Sequence, residues 1–164
     1  MNTQICSPSR GARKLRLGRR SIAGNVYHIS TATMNRVPVL GTLRCGRAVV
    51  ASLAREQVRQ GAHTLAFVVM PDHFHWLLQL PRHVDLSQCV SNVKSSSAKA
   101  INRLCNTSGP IWQHGFFDRG IRSDEDLMVV ARYIVANPLR AGIVEDIGRY
   151  SLWDAIWVRQ GFEL

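Results

Sequence analysis

Two β-prone segments joined by a very short connection constrain the fold of this chain more than any other feature. The stretch HTLAFVVMPDHFHWLLQLP is rich in apolar, β-branched and aromatic residues, interrupted only by Pro71 and Asp72, two residue types that favour turns. Strands over Leu65–Met70 and His73–Leu80, joined this closely, must run antiparallel as a hairpin. The chain therefore contains an antiparallel sheet built around this hairpin.

The segments on either side of the hairpin show strand and helix patterns in turn. Residues 25–33 are β-prone, with side chains that alternate in character, and the apolar spacing over residues 47–62 predicts a helix. Helical spacing recurs over residues 85–105, and residues 109–121 contain an extended piece. These elements would flank the hairpin in the sheet and pack helices on it.

One more helix is predicted in the last third of the chain, SDEDLMVVARYIVANP. Its expected N-cap is Ser123, and it should end near Asn137 because Pro138 follows. The resulting order β-α-β-β-α-β-α predicts an α+β fold, a ferredoxin-like antiparallel sheet of four to five strands with helices covering one face. We expect residues 1–21 to form a flexible basic arm and residues 22–164 to form a single domain with a C-terminal tail.

Positive charge is concentrated in the first third of the chain. Residues 1–55 contain ten Lys or Arg and no Asp or Glu, whereas the remainder carries eleven of each sign, so the whole net charge of +10 lies in this block. Such a block favours binding to a polyanion, nucleic acid above all, over a merely solvated basic face. The ten residues are Arg10, Arg13, Lys14, Arg16, Arg19, Arg20, Arg36, Arg44, Arg47 and Arg55.

Several protein classes are disfavoured by the same sequence. No apolar run approaches the roughly 20 residues that span a bilayer, and the basic N-terminus is not followed by the apolar region of a secretory signal. The four cysteines lack the CxxC spacing of zinc sites and do not suggest a disulfide framework. We expect a cytoplasmic, nucleoid-associated protein with reduced cysteines, no membrane contact and no small-molecule substrate.

Two histidines lie one residue apart on the second strand of the hairpin. Side chains at i and i+2 of a strand point to the same face, so His73 and His75 are neighbours and are well placed to share a divalent metal. The alternative is a pair of buried histidines that hydrogen-bond to the backbone. A metal would need further ligands, for which the sequence offers several candidates. They are His28, Asp72, His114, Asp118 and a residue of the last helix.

The last helix supplies a tyrosine and an amide on one face. Tyr133 and Asn137 are four residues apart, which places them one above the other. A tyrosine hydroxyl can attack a phosphodiester when a metal polarises the phosphate. The alternative is a half-buried core tyrosine with its hydroxyl at the rim.

Together these segments resemble a known family. GNVYHI, VVMPDHFHWLLQLP, IWQHGFFDRGIRSDEDL, ARYIVANPLRAGIV and YSLWDAIW are similar, in this order, to the single-tyrosine HUH transposases, and in particular to the REP-associated tyrosine transposases. HUH denotes a histidine-hydrophobic-histidine triplet. The resemblance covers roughly residues 14–158.

The resemblance implies a catalytic site. His73 and His75 would bind Mg²⁺ or Mn²⁺, and Asn137 matches the position of a third metal ligand. Tyr133 would attack single-stranded DNA to give a 5′-phosphotyrosine and a free 3′-OH. Because imidazole suits Mn²⁺ better than Mg²⁺, we expect activity with both metals and tighter binding of Mn²⁺. Asp72 is interpreted as a turn residue.

The resemblance also implies a DNA partner, the hairpins of palindromic REP-type repeats, bound by a protein that is a monomer rather than a dimer. The alternatives are a non-catalytic hairpin-binding protein of the same fold and a metal-dependent hydrolase that forms no covalent intermediate. Trp112 is the preferred base-stacking residue. The predicted phosphate contacts are Arg10, Arg13, Lys14, Arg16, Arg19, Arg20, Arg36, Lys94, Lys99 and Arg103.

Overall fold

The predicted hairpin is the centre of the sheet. The protein, described here from a computed structural model for residues 22–122 and 125–159, pairs β2 (His63–Val69) with β3 (His73–Gln79) in antiparallel register. The amide of Met70 donates to the carbonyl of His73 at 2.8 Å and closes the turn. These strand bounds differ from the predicted ones by two residues at most.

Three further strands complete the sheet. β1 (Val26–Ala32) pairs antiparallel with β3, β4 (Phe117–Gly120) adds to the outer edge of β1, and β5 (Trp153–Ala155) adds to β2. The order is β4-β1-β3-β2-β5. This confirms the α+β class and the upper limit of the predicted strand number. The sequence patterns predicted no strand at β5, which is only three residues long.

Two long helices cover one face of the sheet. α1 (Leu43–Gln60) begins after Thr42, whose hydroxyl accepts a hydrogen bond from the amide of Cys45 at 3.3 Å, so it starts four residues earlier than predicted. α2 (Leu86–Cys105) is capped by the Asp85 carboxylate, which accepts from the amide of Gln88. Both helices bury their apolar faces against Ile29, Phe74, Trp76 and Leu78 of the sheet.

The other face of the sheet carries a third helix, so the prediction that helices cover a single face is wrong. α3 (Leu127–Val135) packs on β2 and β3 and buries Ala131 and Ile134 against Val68 and Leu77. The last five residues of β2 are all buried, because a strand that is covered on both faces does not alternate between buried apolar and exposed polar side chains. The N-cap of α3 is Asp126, and the predicted cap, Ser123, lies outside the described residues.

Short elements follow α3 and return the chain to the sheet. α4 (Asn137–Arg140) follows α3 almost directly, and α5 (Ile156–Arg159) follows β5. Single 3₁₀ turns lie at Met34–Arg36, Val39–Gly41 and Ile147–Arg149. Within the described parts of the chain, no helix combines the length and apolar character that crossing a membrane requires.

Candidate active site

Three histidines meet on the sheet face that α3 partly covers. Because Ser30 lies directly opposite His75 in the β1–β3 register, and His28 is two residues before Ser30, the side chains of His28 and His75 are diagonal neighbours on one face. His73 lies two residues before His75, and their rings meet edge to face with centroids 5.0 Å apart. We call His28, His73 and His75 the histidine cluster. The prediction that His73 and His75 share a face is confirmed.

Asp72 orients the first of these rings. Its carboxylate oxygen Oδ1 lies 2.5 Å from Nδ1 of His73, and its other oxygen accepts from the Arg36 guanidinium at 3.2 Å. Since a carboxylate accepts, Nδ1 of His73 carries the proton, and the lone pair of the neutral ring lies on Nε2. Asp72 therefore does more than form the turn: it fixes which nitrogen of His73 is available to a metal.

The turn that carries Asp72 is itself held in place. The carbonyl of Asp72 accepts from the amide of Thr33 at 2.8 Å, and the carbonyl of Pro71 accepts from the amide of Leu40 at 2.9 Å. Thr33 is 1% exposed, so these bonds are shielded from water. The backbone that carries the Asp72 carboxylate is thus hydrogen-bonded to two other segments, at Thr33 and at Leu40.

His28 orients the second ring in a similar way. Its Nε2 lies 3.1 Å from Nδ1 of His75. One of these nitrogens must donate and the other accept. When Nδ1 of His75 donates, its Nε2 keeps a lone pair and can bind a metal. Asp72 thus contacts His73, and His28 contacts His75, as the hydrogen-bonding outer partners that metal-binding histidines usually have.

Burial favours the neutral form of two rings of the cluster, His28 and His75. Desolvation, followed by the charges of His28, His73 and Arg36, lowers the pKa of His75 to about 3. Desolvation and then the charge of Arg119 lower the pKa of His28. For Asp72, partial burial raises the pKa, but the hydrogen bond and charge of His73 and then those of Arg36 outweigh it, and the net direction is downward. Neutral imidazole is the form that binds metal.

The low pKa of His75 gives an expected dependence of stability on pH in metal-free protein. The unfolded chain protonates this side chain below its ordinary pKa of about 6.5, whereas the folded chain does not do so until about pH 3. The contribution of His75 to the free energy of unfolding is therefore fully present above pH 6.5 and is lost as the pH falls. By pH 5 we expect this residue to lower the free energy of unfolding by about 2 kcal/mol at most, which corresponds to a drop of a few degrees in Tm.

Thermal unfolding in EDTA at pH 7.5, 6.0 and 5.0 measures this loss. His75→Gln, which cannot titrate, should show a clearly smaller drop than the wild type over the same range. An equal drop in both proteins would contradict the expectation.

The donor set fits a divalent metal whose remaining positions are filled by water and substrate. Among the described residues, no three His, Cys, Asp or Glu side chains are grouped so that they could hold a metal ion by themselves. The cluster instead offers two imidazoles, His73 and His75, each with an outer partner. Mg²⁺ and Mn²⁺ commonly keep several waters and bind substrate phosphates directly, so two protein ligands suffice for an open site.

The other ligand candidates differ in their placement. His28 lies in the cluster, but its Nε2 faces His75. Asp118 is opposite Ile29 in the β1–β4 register, which places it on the α1–α2 side of the sheet, away from the cluster. The amide nitrogen of Asn137 donates to the carbonyls of Tyr133 and Ile134, at 3.1 and 2.7 Å, and caps the end of α3. A metal-binding role for Asn137 would therefore use its side-chain oxygen.

Tyr133 stands on the cluster's side of the sheet and faces solvent. Its neighbours Ile134 and Ala131 anchor α3 to β2 and β3, while Tyr133 itself is 52% exposed. The Arg140 guanidinium lies 4.3 Å from the centre of its ring, in cation–π contact. This exposure places Tyr133 outside the buried core.

The predicted DNA-contacting cations fall into three groups. Those of residues 1–21 lie outside the described residues. Arg36 pairs with Asp72 at the site, and the Lys94 ammonium donates to the carbonyls of Gln113 and Gly115 at 2.7 and 2.6 Å. Lys94 therefore holds the loop before β4. Lys99 and Arg103 are exposed on the outer side of α2.

Trp112 is a core residue, which corrects its predicted role in base stacking. It is 7% exposed, its ring meets Phe74 edge to face at 5.4 Å, and its indole nitrogen donates to the hydroxyl of Ser97 at 3.1 Å. The physical reason is a bridge between Trp112 and Thr33 at the end of β1, which brings the loop under α2. A ring buried in this way cannot stack on a base.

The sequence predicts the central site residues His73, His75 and Tyr133 but not the contacts that His28 and Arg140 make with them. His28 alternates with the core residues of β1 and was only one of several ligand candidates, because sequence alone does not give the β1–β3 register. Arg140 belongs to the motif NPLRAG, and its place beside Tyr133 depends on the short α4 that follows Asn137. One signal was available for Arg140, its spacing of seven residues from Tyr133, which is about two helical turns.

Comparisons with known proteins identify relatives of this chain. The "Putative REP-associated tyrosine transposase" of Haemophilus influenzae is 32% identical in an alignment over 92 residues, and the match covers 50% of this chain and 52% of that protein. The chain thus matches about half the length of this curated relative. A solved structure of a REP-associated tyrosine transposase bound to a REP hairpin superposes with a TM-score of 0.73 at 23% identity, covering 89% of this chain and 86% of the other.

A second solved structure shows the same fold. It is a Deinococcus radiodurans R1 protein described as a putative transposase, with a TM-score of 0.53 and 21% identity over 78% of this chain and 92% of the other. The family model of IS200-like transposases matches residues 21–137, well over half of the chain, and this range contains the histidine cluster, Tyr133 and Asn137. These matches confirm the resemblance drawn from the sequence motifs: the chain belongs to the family of IS200-like transposases.

Proposed function

We propose that this protein is a metal-dependent single-stranded DNA endonuclease and strand transferase that acts on hairpins of palindromic REP-type repeats through a 5′-phosphotyrosine. One observation carries the proposal. Two imidazoles, each with an outer partner, lie on the same side of the sheet as an exposed tyrosine held by packed neighbours. A metal ligand pair and a nucleophile are the two parts that such a reaction needs.

The partner is proposed on three grounds. A similar fold has been solved with a REP hairpin bound, and the curated relative carries a REP-associated name. The excess of positive charge in this chain, a net +10, is what a phosphate backbone would attract.

The residues of the site divide the work of positioning and attack. His73 and His75 would hold Mg²⁺ or Mn²⁺ through their Nε2 atoms. When bound, the metal polarises the scissile phosphate and lowers the charge penalty at phosphorus. Asp72 would keep His73 in the metal-binding tautomer, and His28 would do the same for His75 when its Nε2 accepts from Nδ1 of that ring, so that little reorganisation is needed on binding.

Tyr133 is the proposed nucleophile. Its hydroxyl oxygen forms a bond to phosphorus while the bond from phosphorus to the 3′ oxygen breaks; the phenol proton passes to solvent and the departing 3′ oxygen takes one up. The product is a 5′-phosphotyrosine and a free 3′-OH, and the reverse reaction rejoins a strand without a nucleotide cofactor. Arg140 restrains the ring and brings a positive charge to the place where the phosphate must arrive.

Covalent capture tests the proposal. A labelled repeat hairpin with a single-stranded 5′ extension is incubated with the protein in Mn²⁺, Mg²⁺ or EDTA and analysed in denaturing gels. We expect an adduct with either metal and none in EDTA. Hairpin binding without an adduct under any metal would support the non-catalytic alternative instead.

The outer partners of the histidines give a second expected result. His28→Ala and Asp72→Ala should each weaken Mn²⁺ binding by about 10–100-fold, the usual effect of losing such a partner. His28→Gln should recover much of the affinity, because its side-chain oxygen can accept from Nδ1 of His75. The measurement is Mn²⁺ titration by calorimetry or electron paramagnetic resonance, so it does not depend on cleavage.

His63→Ala is the matched control for these variants. His63 is exposed and lies at the opposite end of the hairpin, across from Gln79. Its removal should leave Mn²⁺ affinity unchanged. Equal affinity in His28→Ala, Asp72→Ala and His63→Ala would show that the two partners do not orient the ligands.

A further inference from the structure

A basic groove runs between α1 and α2 on the side of the sheet away from the histidine cluster. It encloses about 400 Å³ and is lined by four cationic side chains, two from each helix, together with serine and asparagine side chains. The cations are Arg55, Arg59, Lys99 and Arg103, and all four are exposed. We call this the α1–α2 groove.

The sheet separates the groove from the proposed catalytic site. Phe74 and Trp76 of β3 point towards α1 and α2, while His73 and His75 of the same strand point to the opposite face. A cation in the groove therefore cannot act on the scissile phosphate at the cluster, and any role of the groove must be in binding.

The groove presents positive charge outwards. Glu56 lies beneath it but is 2% exposed, and its carboxylate accepts a hydrogen bond from the side-chain amide of Asn92 at 2.9 Å. Ser95, at the groove wall, is exposed and can donate from its hydroxyl. Guanidinium, ammonium, hydroxyl and amide groups are the set that contacts phosphate oxygens in nucleic-acid complexes.

We propose that the α1–α2 groove binds the sugar-phosphate backbone of double-stranded DNA, the stem of the hairpin substrate. Among the described residues that line the groove there is no aromatic side chain, whereas grooves for single strands combine positive charge with aromatic stacking platforms. It also lacks the large apolar side chains that fill the centre of a protein interface. A continuous row of phosphates is the partner that this lining fits.

The dimensions agree with a duplex. From Asn92 to Arg103, α2 extends about 16 Å at 1.5 Å per residue, which equals the rise of about five base pairs at 3.4 Å each. The stem would thus lie on the face covered by α1 and α2, while the single-stranded 5′ extension next to it, here called the foot, reaches the opposite, catalytic face. The assignment rests on the proposed function for the identity of the DNA, since the groove itself would contact only the sugar-phosphate backbone and not the bases.

Two double variants of equal charge test the assignment. Arg59→Gln/Arg103→Gln removes two groove cations, and Arg82→Gln/Arg149→Gln removes two exposed cations that do not line the groove. Binding of a blunt-ended duplex, a single-stranded foot oligonucleotide and the complete hairpin is measured by fluorescence anisotropy from 50 to 200 mM salt.

The groove variant should bind duplex and hairpin at least about 10-fold more weakly, and its salt slope should fall by about 1.8, the value for two lost phosphate contacts. Its affinity for the foot oligonucleotide should stay within twofold of the wild type, and the control variant should bind duplex with at most a twofold loss. Equal losses in both variants, or no loss in either, would overturn the assignment, as would an effect confined to the foot.

The same samples separate this inference from the proposed function. If the groove variant loses duplex affinity while the wild type forms no covalent adduct, the groove assignment stands and the catalytic proposal fails. If the wild type forms the adduct and the groove variant binds duplex with wild-type affinity, the catalytic proposal stands and the groove assignment fails. An acidic protein partner then becomes the next candidate for this surface.

Discussion

Tyr133→Phe should abolish the covalent DNA adduct and reduce strand cleavage by at least about 10³-fold, because the substitution removes the only atom that attacks phosphorus in the proposed reaction. The variant should fold normally. Tyr133 is 52% exposed, and no described hydrogen bond of its hydroxyl holds the helix in place. The packing of α3 depends instead on buried neighbours such as Ala131 and Ile134.

The measurement is a single-turnover assay with labelled hairpin in Mn²⁺, read as adduct on a denaturing gel and as free 3′ product. Hairpin binding in EDTA should remain within twofold of the wild type, which shows that the variant is intact. Tyr150→Phe is the matched control: its hydroxyl donates to the carbonyl of Val69 at 2.6 Å, a structural contact with the sheet. Cleavage without an adduct in Tyr133→Phe would favour the metal-dependent hydrolase.

Local sequence signals predicted the centre of this fold well. The hairpin follows from two β-prone runs around Pro71 and Asp72, and the shared face of His73 and His75 follows from the period of a strand. Both inferences need only residues within about twenty positions of one another. For the same reason the second long helix was placed to within one residue at its start and at its end, because its apolar spacing and its cap, Asp85, lie in one stretch of sequence.

Features that depend on distant contacts could not be predicted in this way. His28 and His75 are 47 residues apart, and their contact depends on the register between β1 and β3. Trp112 became a core residue through its bridge to Thr33, which no local pattern reveals. The prediction that helices cover one face fails at the third helix, although the sequence contains one signal: the uninterrupted apolar run LAFVV in β2 is typical of a strand buried on both sides.

His75→Ala should reduce Mn²⁺ affinity by more than about 100-fold and metal-dependent cleavage by a similar factor at low Mn²⁺ concentration. The loss exceeds the 10–100-fold expected for the outer partners because one of two proposed protein ligands disappears outright. His73→Ala should behave alike. Combining the two substitutions should add little, since residues that act as a unit are strongly non-additive.

Calorimetric Mn²⁺ titration and the cleavage assay over a range of Mn²⁺ concentrations measure the effect, with His63→Ala again as control. Binding of the duplex stem in EDTA should not change, because the α1–α2 groove lies on the other face of the sheet from His75. Together the two measurements separate metal-dependent cleavage on one face of the sheet from metal-independent DNA binding on the other. Wild-type cleavage by His75→Ala at low Mn²⁺ would contradict the proposed role of the histidine cluster.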